Sequence, residues 1–287
     1  MRNESTDSPV RVIVPQTGLD PFRGAISRLI SDFTPATHLA ARLFVRDTQA
    51  EHRQSLLGYV WLVVPVIANT VTWVFLNTAK VVRIDSGTVP YALFVLSGVV
   101  LWTAFNGAIM SMLAVVPKAR GVLSKVNFPH ESLVYSGILK SFLDALLALL
   151  IIPPVVAFFG NGMRPTMALY PLALVACLIL GWGLGLLMVP IAALYGDVSK
   201  ALQLALRFGF FLTPVIFPMP AAGIARDFMQ VNPVTPLVTT GRAWLTGSNE
   251  LMLPAFAMVS VGAFGVMAIG LIVFKVAMPF VIERVAG

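Results

Sequence analysis

The feature that most constrains this 287-residue chain is a series of long apolar runs with almost no charge, at about 56–79, 92–116, 133–159, 167–195, 201–218 and 253–282. A helix needs about 20 residues to cross roughly 30 Å of hydrocarbon, and most of these runs reach that length. Strands of a membrane barrel would alternate apolar and polar side chains; these runs are continuous, so the expected fold is an all-α membrane protein with six transmembrane helices. Composition agrees: 57% of the residues are hydrophobic and 11% charged, too few charges to cover a soluble globule. The third run is expected to break at Pro153 and Pro154, and the second to end at Pro117. The fifth is short, with Arg207 near its start and Pro214 near its end, so it either spans or dips in and returns. In the sixth, Lys275 is expected to snorkel to the membrane surface.

The distribution of Lys and Arg sets the orientation. With six spans and both termini inside, fifteen of the 20 cations fall on or near the cytoplasmic side; Lys80, Arg83, Arg164, Arg226 and Arg242 fall outside. Residues 1–33 mix Ser, Thr, Pro, Asp and Arg without periodicity or an apolar core like that of an export signal, and are read as a flexible cytoplasmic tail. Thr34 and Pro35 then suit the N-cap and first position of an amphipathic interface helix over 34–55. Leu39, Leu43 and Phe44 share one side of it, and Arg42, Arg46 and Arg53 can reach phosphates of the headgroup layer. A plain membrane anchor fits this pattern as well as headgroup recognition does. The remaining chain, 56–287, reads as the transmembrane domain.

Several chemistries are excluded. The single cysteine, Cys177, forms no internal disulfide, and His38, His52 and His130 are scattered, so no metal site is expected. Carboxylates for metal-diphosphate chemistry would cluster, whereas Asp85, Asp144, Asp197 and Asp227 stand apart. No G-x-x-x-x-G-K-[ST] loop occurs, so ATP and Mg are expected on another chain and no cofactor on this one. The basic residues form no aromatic-interleaved patch, so anionic lipid is a better partner than nucleic acid. Asp144 stands one helical turn from Lys140 and reads as its neutralising partner. Gly181 and Gly185 offer a small-residue face for helix packing, within one subunit or between two.

The stretch RQSLLGYVWLVVP at 53–65, entering the first span from an amphipathic helix, resembles the permease subunits of ABC type-2 transporters that export cell-surface polysaccharide. KVNFPHE at 125–131, YGDV at 195–198, FFLTPVIFP at 210–218, NP at 232–233 and GRAWLTG at 241–247 follow in matching order. The resemblance covers about residue 35 to the C-terminus. It implies the permease subunit of an ATP-driven exporter of lipid-linked O-antigen, capsule or teichoic-acid polysaccharide in the bacterial cytoplasmic membrane, paired with an ABC ATPase and with a second copy of itself. The alternative is a type-2 exporter of drugs or lipids.

On this resemblance the inner loop 117–131 carries a coupling helix for the ATPase, with Phe128 as apolar anchor and Lys118, Arg120, Lys125 and Glu131 at its rim; a loop touching only headgroups is the plainer reading. Arg42, Arg46 and Arg53 would receive the diphosphate of a polyprenyl-linked glycan, and Tyr59 would guide its first sugar. Trp61, Trp73, Trp102 and Phe105 would supply channel aromatics, against a competing role as membrane-belt anchors. Two apolar-faced segments, around Ile224, Phe228 and Val231 and around Leu237, Trp244 and Leu245, would form short re-entrant helices between spans five and six, with Trp244 alternatively a belt residue.

Overall fold

The computed structural model describes residues 33–52, 58–123, 130–159, 162 and 164–286, and no strand occurs among them. Helix α1 is Phe33–His52, α2 Val60–Thr78, α3 Tyr91–Leu123, α4 Glu131–Leu149 and α5 Ile152–Phe158. A 3-10 turn, Pro165–Leu169, leads into α6, Tyr170–Leu194; α7 (Gly196–Phe211), α8 (Ile224–Val231), α9 (Val234–Thr246) and α10 (Leu253–Ala286) follow. Among the described residues, five segments are long and apolar enough to cross a membrane: Val60–Thr78, Tyr91–Ala119, Glu131–Phe158, Pro165–Leu194 and Leu253–Val281.

The segment expected as a fifth span of six takes another form. Its helix, α7, starts earlier, at Gly196, and has 16 residues, about 24 Å of rise and short of the hydrocarbon thickness. Residues 212–223 are not helical. Pro153 and Pro154 do break the third run: they occupy the first turn of α5, where a missing N–H costs nothing. Pro117, by contrast, does not end α3, which continues to Leu123. It removes only one helical hydrogen bond, close to a helix end where the freed carbonyl can be hydrated.

The core is built around α6. On one side α3 approaches so closely that a Cβ added at Gly181 would lie 2.6 Å from the Phe105 carbonyl oxygen. On another, a Cβ at Gly183 would lie 2.7 Å from the Met267 backbone nitrogen of α10. The glycine face therefore packs within this subunit, with small residues letting backbones meet as in other membrane helices. Trp182 donates its Nε1–H to Ser141 Oγ of α4 at 2.7 Å, so the polar edge of a large buried ring is satisfied inside the bundle. Helix α9 is buried along its whole length among α3, α6 and α10. Its Trp244 packs edge-on against Phe256 at 5.0 Å between ring centroids, which makes it a core residue rather than a belt anchor.

Helices α2 and α10 leave much of their apolar surface uncovered: Trp61, Ile67, Val71 and Phe75 on α2, and Met258, Val261, Phe264 and Ile269 on α10, are exposed. Such faces require lipid or another protein chain. The apolar face of α8 is also open at Ile224, Phe228 and Val231.

Candidate functional site

Two ends of the bundle carry its notable polar groups. At one, α1 lays the stripe Ala40, Leu43, Phe44, Asp47 and Thr48 against the rest of the protein, packing along α4. The spacing of three and four residues explains why these positions share a face. Leu43 and Phe44, two of the three residues expected on the apolar side of this helix, belong to the stripe. Arg42 and Arg46 remain exposed, and Arg46 contacts Asp47 at 2.7 Å. Arg53 lies outside the described residues.

Arg46 and Lys118, assigned to headgroup and ATPase contacts respectively, line one cleft between α1, α3 and α4, together with Lys140. Lys140 reaches the Asp144 carboxylate at 2.9 and 3.2 Å, the pairing expected from their spacing. Glu131 was expected on the docking rim, but its carboxylate turns to Lys275 of α10 at 2.7 Å. Lys275 accordingly closes an interhelical ion pair instead of snorkelling. Burial pushes the His130 imidazole below its usual pKa, an effect opposed by the neighbouring Glu131 carboxylate. Lys125, Phe128 and the Arg120 side chain lie outside the described residues.

The aromatic residues divide into two groups. Tyr59 and Trp61, at the start of α2, are exposed, and Trp73 is half-buried with its ring edge-on to Phe211 at 6.2 Å. Trp102 and Phe105 on α3 are only 6% and 4% exposed; Trp102 packs against Phe105 and Phe210 at 5.5 and 6.0 Å. Both rings are enclosed by protein in this arrangement. Sequence alone did not separate the groups, because all five rings sit in equally apolar runs.

At the other end, the chain after α7 is held open by a residue that the motif order marked but whose role it did not reveal. Arg242 of α9, 1% exposed, donates its Nε–H to the Phe94 carbonyl at 3.2 Å and Nη2–H to the Pro214 and Val215 carbonyls at 2.7 and 2.8 Å. Its guanidinium carbon lies 3.6 Å from the centroid of the Phe94 ring. Tyr91 donates to the Ile216 carbonyl at 3.1 Å, and Asn232 Nδ2 donates to Thr213 Oγ1 at 2.7 Å. Non-helical backbone in an apolar bundle must find partners inside the protein, and these side chains supply them. Gly98 admits the arrangement, since the space of its missing side chain is filled by the Val215 carbonyl and the Arg242 guanidinium.

Comparison with known proteins points the same way as the motifs. No protein-family model matches the chain. It is 26% identical over 223 residues to the O-antigen export system permease protein RfbA of Myxococcus xanthus, covering 75% of this chain and 83% of that one. It is 22% identical over 205 residues to the protein of the same name from Klebsiella pneumoniae, covering 69% and 75%. The chain is thus similar over most of its length to two permeases of O-antigen export systems, the kind of protein that its motifs also resemble.

Proposed function

We propose that this chain is the membrane-spanning permease subunit of an ATP-driven exporter that moves lipid-linked cell-surface polysaccharide across the bacterial cytoplasmic membrane. The observation that carries the reading is its similarity, over most of its length, to two O-antigen export permeases, joined to five membrane-length apolar helices. ATP and Mg belong to a separate ABC ATPase, which docks on the loop 117–131 through Lys118, Arg120, Lys125 and Phe128. Glu131, on the rim of that docking surface, also pairs with Lys275 of α10.

The sixth crossing is composite. Helix α7 enters, and the non-helical residues 212–218, whose carbonyls are taken up by Arg242 and Tyr91, complete the passage. Helices α8 and α9 then form the re-entrant pair on the outer side, and both termini are cytoplasmic. A second copy of the chain covers the open faces of α2 and α10, and the exposed Tyr59 and Trp61 stand where a glycan would enter between subunits. Arg42, Arg46 and Arg53 hold the carrier's diphosphate at the inner surface.

Deletion of the gene in its host tests the reading. Surface polysaccharide should disappear while the lipid-linked glycan accumulates inside, and the wild-type gene should restore export. Undiminished surface polysaccharide in the deletion strain would refute it.

A further inference from the structure

At the end of the bundle away from α1, the close of α4, α5, the start of α6 and α9 leave a large apolar cavity. Its volume is about 450 Å³, and Leu149, Ile152, Val156, Met167, Pro171 and Leu245 supply most of the wall. Tyr170 also lines it, but its hydroxyl already donates to the Ser97 carbonyl at 2.7 Å. Such a wall offers water no side-chain partner, and apolar cavities stay dry until an apolar guest enters. An engineered cavity of about 150 Å³ holds one benzene, so about three times that volume suits a hydrocarbon chain of roughly 15–18 carbons.

Depth points to the same guest. The wall runs from Leu149 to Ala157, about 12 Å of helical rise, close to half of a hydrocarbon core of roughly 30 Å. Ala157 lies in the last turn of one membrane-length segment, which ends at Phe158, and Met167 in the first turn of the next, which opens at Pro165. Arg164 immediately precedes that boundary. It is exposed, and its guanidinium occupies the space in front of Gly247 where a side chain would otherwise project. Gly247 ends α9 at φ 74°, a conformation that suits glycine, and Leu245, two residues earlier, lines the cavity. The guanidinium thus reaches from the 3-10 turn to the end of α9, across the rim. No hydrogen bond or ion pair engages it among the described residues, with Glu250 or any other carboxylate. An arginine fork at headgroup depth beside a dry hydrocarbon slot is complementary to a phosphodiester that carries an acyl chain.

We propose that this cavity is a binding site for a membrane phospholipid, with one acyl chain lying in the slot and the phosphate held by the Arg164 guanidinium. A polyprenyl chain several times that length would overfill the space. Bound there, the lipid joins α5 and the start of α6 to α9, the helix whose Arg242 holds the non-helical segment. The site rests on the membrane placement of these segments and is independent of the exported cargo.

The test uses the full chain in a neutral detergent, titrated separately with phosphatidylglycerol and with diacylglycerol of the same acyl chains, and counts retained lipid by native mass spectrometry. The parent should hold phosphatidylglycerol about tenfold more tightly than diacylglycerol, the effect of a hydrogen bond to a charged group. Arg164→Gln should abolish that preference and leave diacylglycerol binding unchanged. Ala157→Trp, at an exposed lining position, should fill the slot and weaken both lipids. Lys80→Gln, at an exposed lysine outside the cavity, should change neither. Arg164 is on the surface, so its arm decides the matter even where Ala157→Trp fails to fold. Equal affinity of the parent for the two lipids, or a preference that survives Arg164→Gln, would overturn the proposal. So would a folded Ala157→Trp protein that binds both lipids like the parent, or that loses a dimer in place of a lipid, since a second copy would then be the occupant.

Discussion

Arg242 and Arg46 are the same residue type placed at two ends of one bundle, and their surroundings give them opposite tasks. Arg242 is sealed inside the protein, where backbone carbonyls and an aromatic face replace its hydration and its fork geometry fixes an unwound segment. Arg46 is more than half exposed, and its pairing with Asp47 is the kind of surface contact worth little. The buried cation has a structural partner for most of its donors; the exposed one, beside Lys118 and Lys140, belongs to a charged cleft with room left in it.

The largest effect should come from Arg242→Met. It strands the carbonyls of Pro214 and Val215 in an apolar interior, while that of Phe94 keeps its bond from Ser97 Oγ; the loss should cost about 3 kcal/mol or more, to be read as a lower unfolding temperature and loss of monodisperse protein. Arg242→Lys keeps the charge but not the planar fork, and should restore only part of the loss. If Arg242→Met unfolded like the parent, the contrast between the two ends would fail.

Next comes Gly183→Ala, which must push α10 away from α6 and should cost about 1–3 kcal/mol. Gly262→Ala in the same helix pair meets nothing within 4 Å and should be neutral or slightly stabilising, by at most about 1 kcal/mol. Thermal unfolding of the two variants side by side separates helix contact from glycine content. Ser141→Ala removes the acceptor of the Trp182 N–H and should cost about 1–2 kcal/mol, measured in the same way. Smallest of all, Arg46→Ala should change stability by less than about 0.5 kcal/mol, read by the same thermal unfolding.

Much of the architecture could be read from the residues because hydrophobic run length is a local property. The prolines at 153 and 154 placed the break between α4 and α5 correctly, and the i,i+4 spacing of Lys140 and Asp144 gave their pairing. Tertiary contacts were less accessible. Nothing near Arg242 in sequence announces that its acceptors lie 148, 28 and 27 positions away, and they are backbone carbonyls that any residue could supply. Lys275 likewise looks like a snorkelling cation until Glu131 is found beside it. Trp244 and Trp102 have the composition of belt residues but the packing of core, and only the fold distinguishes the two. The charged cleft was half legible: Arg46 and Lys118 were both singled out, in separate roles, while their meeting exists only once α1 is seated on α4.

On the proposed function, this chain is a conduit whose motor is another polypeptide. The direct measurement is ATP hydrolysis in nanodiscs containing the chain alone, its ABC ATPase alone, or both, with and without lipid-linked glycan. The account predicts that the chain alone is inactive and that glycan stimulates hydrolysis only when both are present. Hydrolysis by the chain alone, or a combined rate indifferent to the glycan, would contradict it.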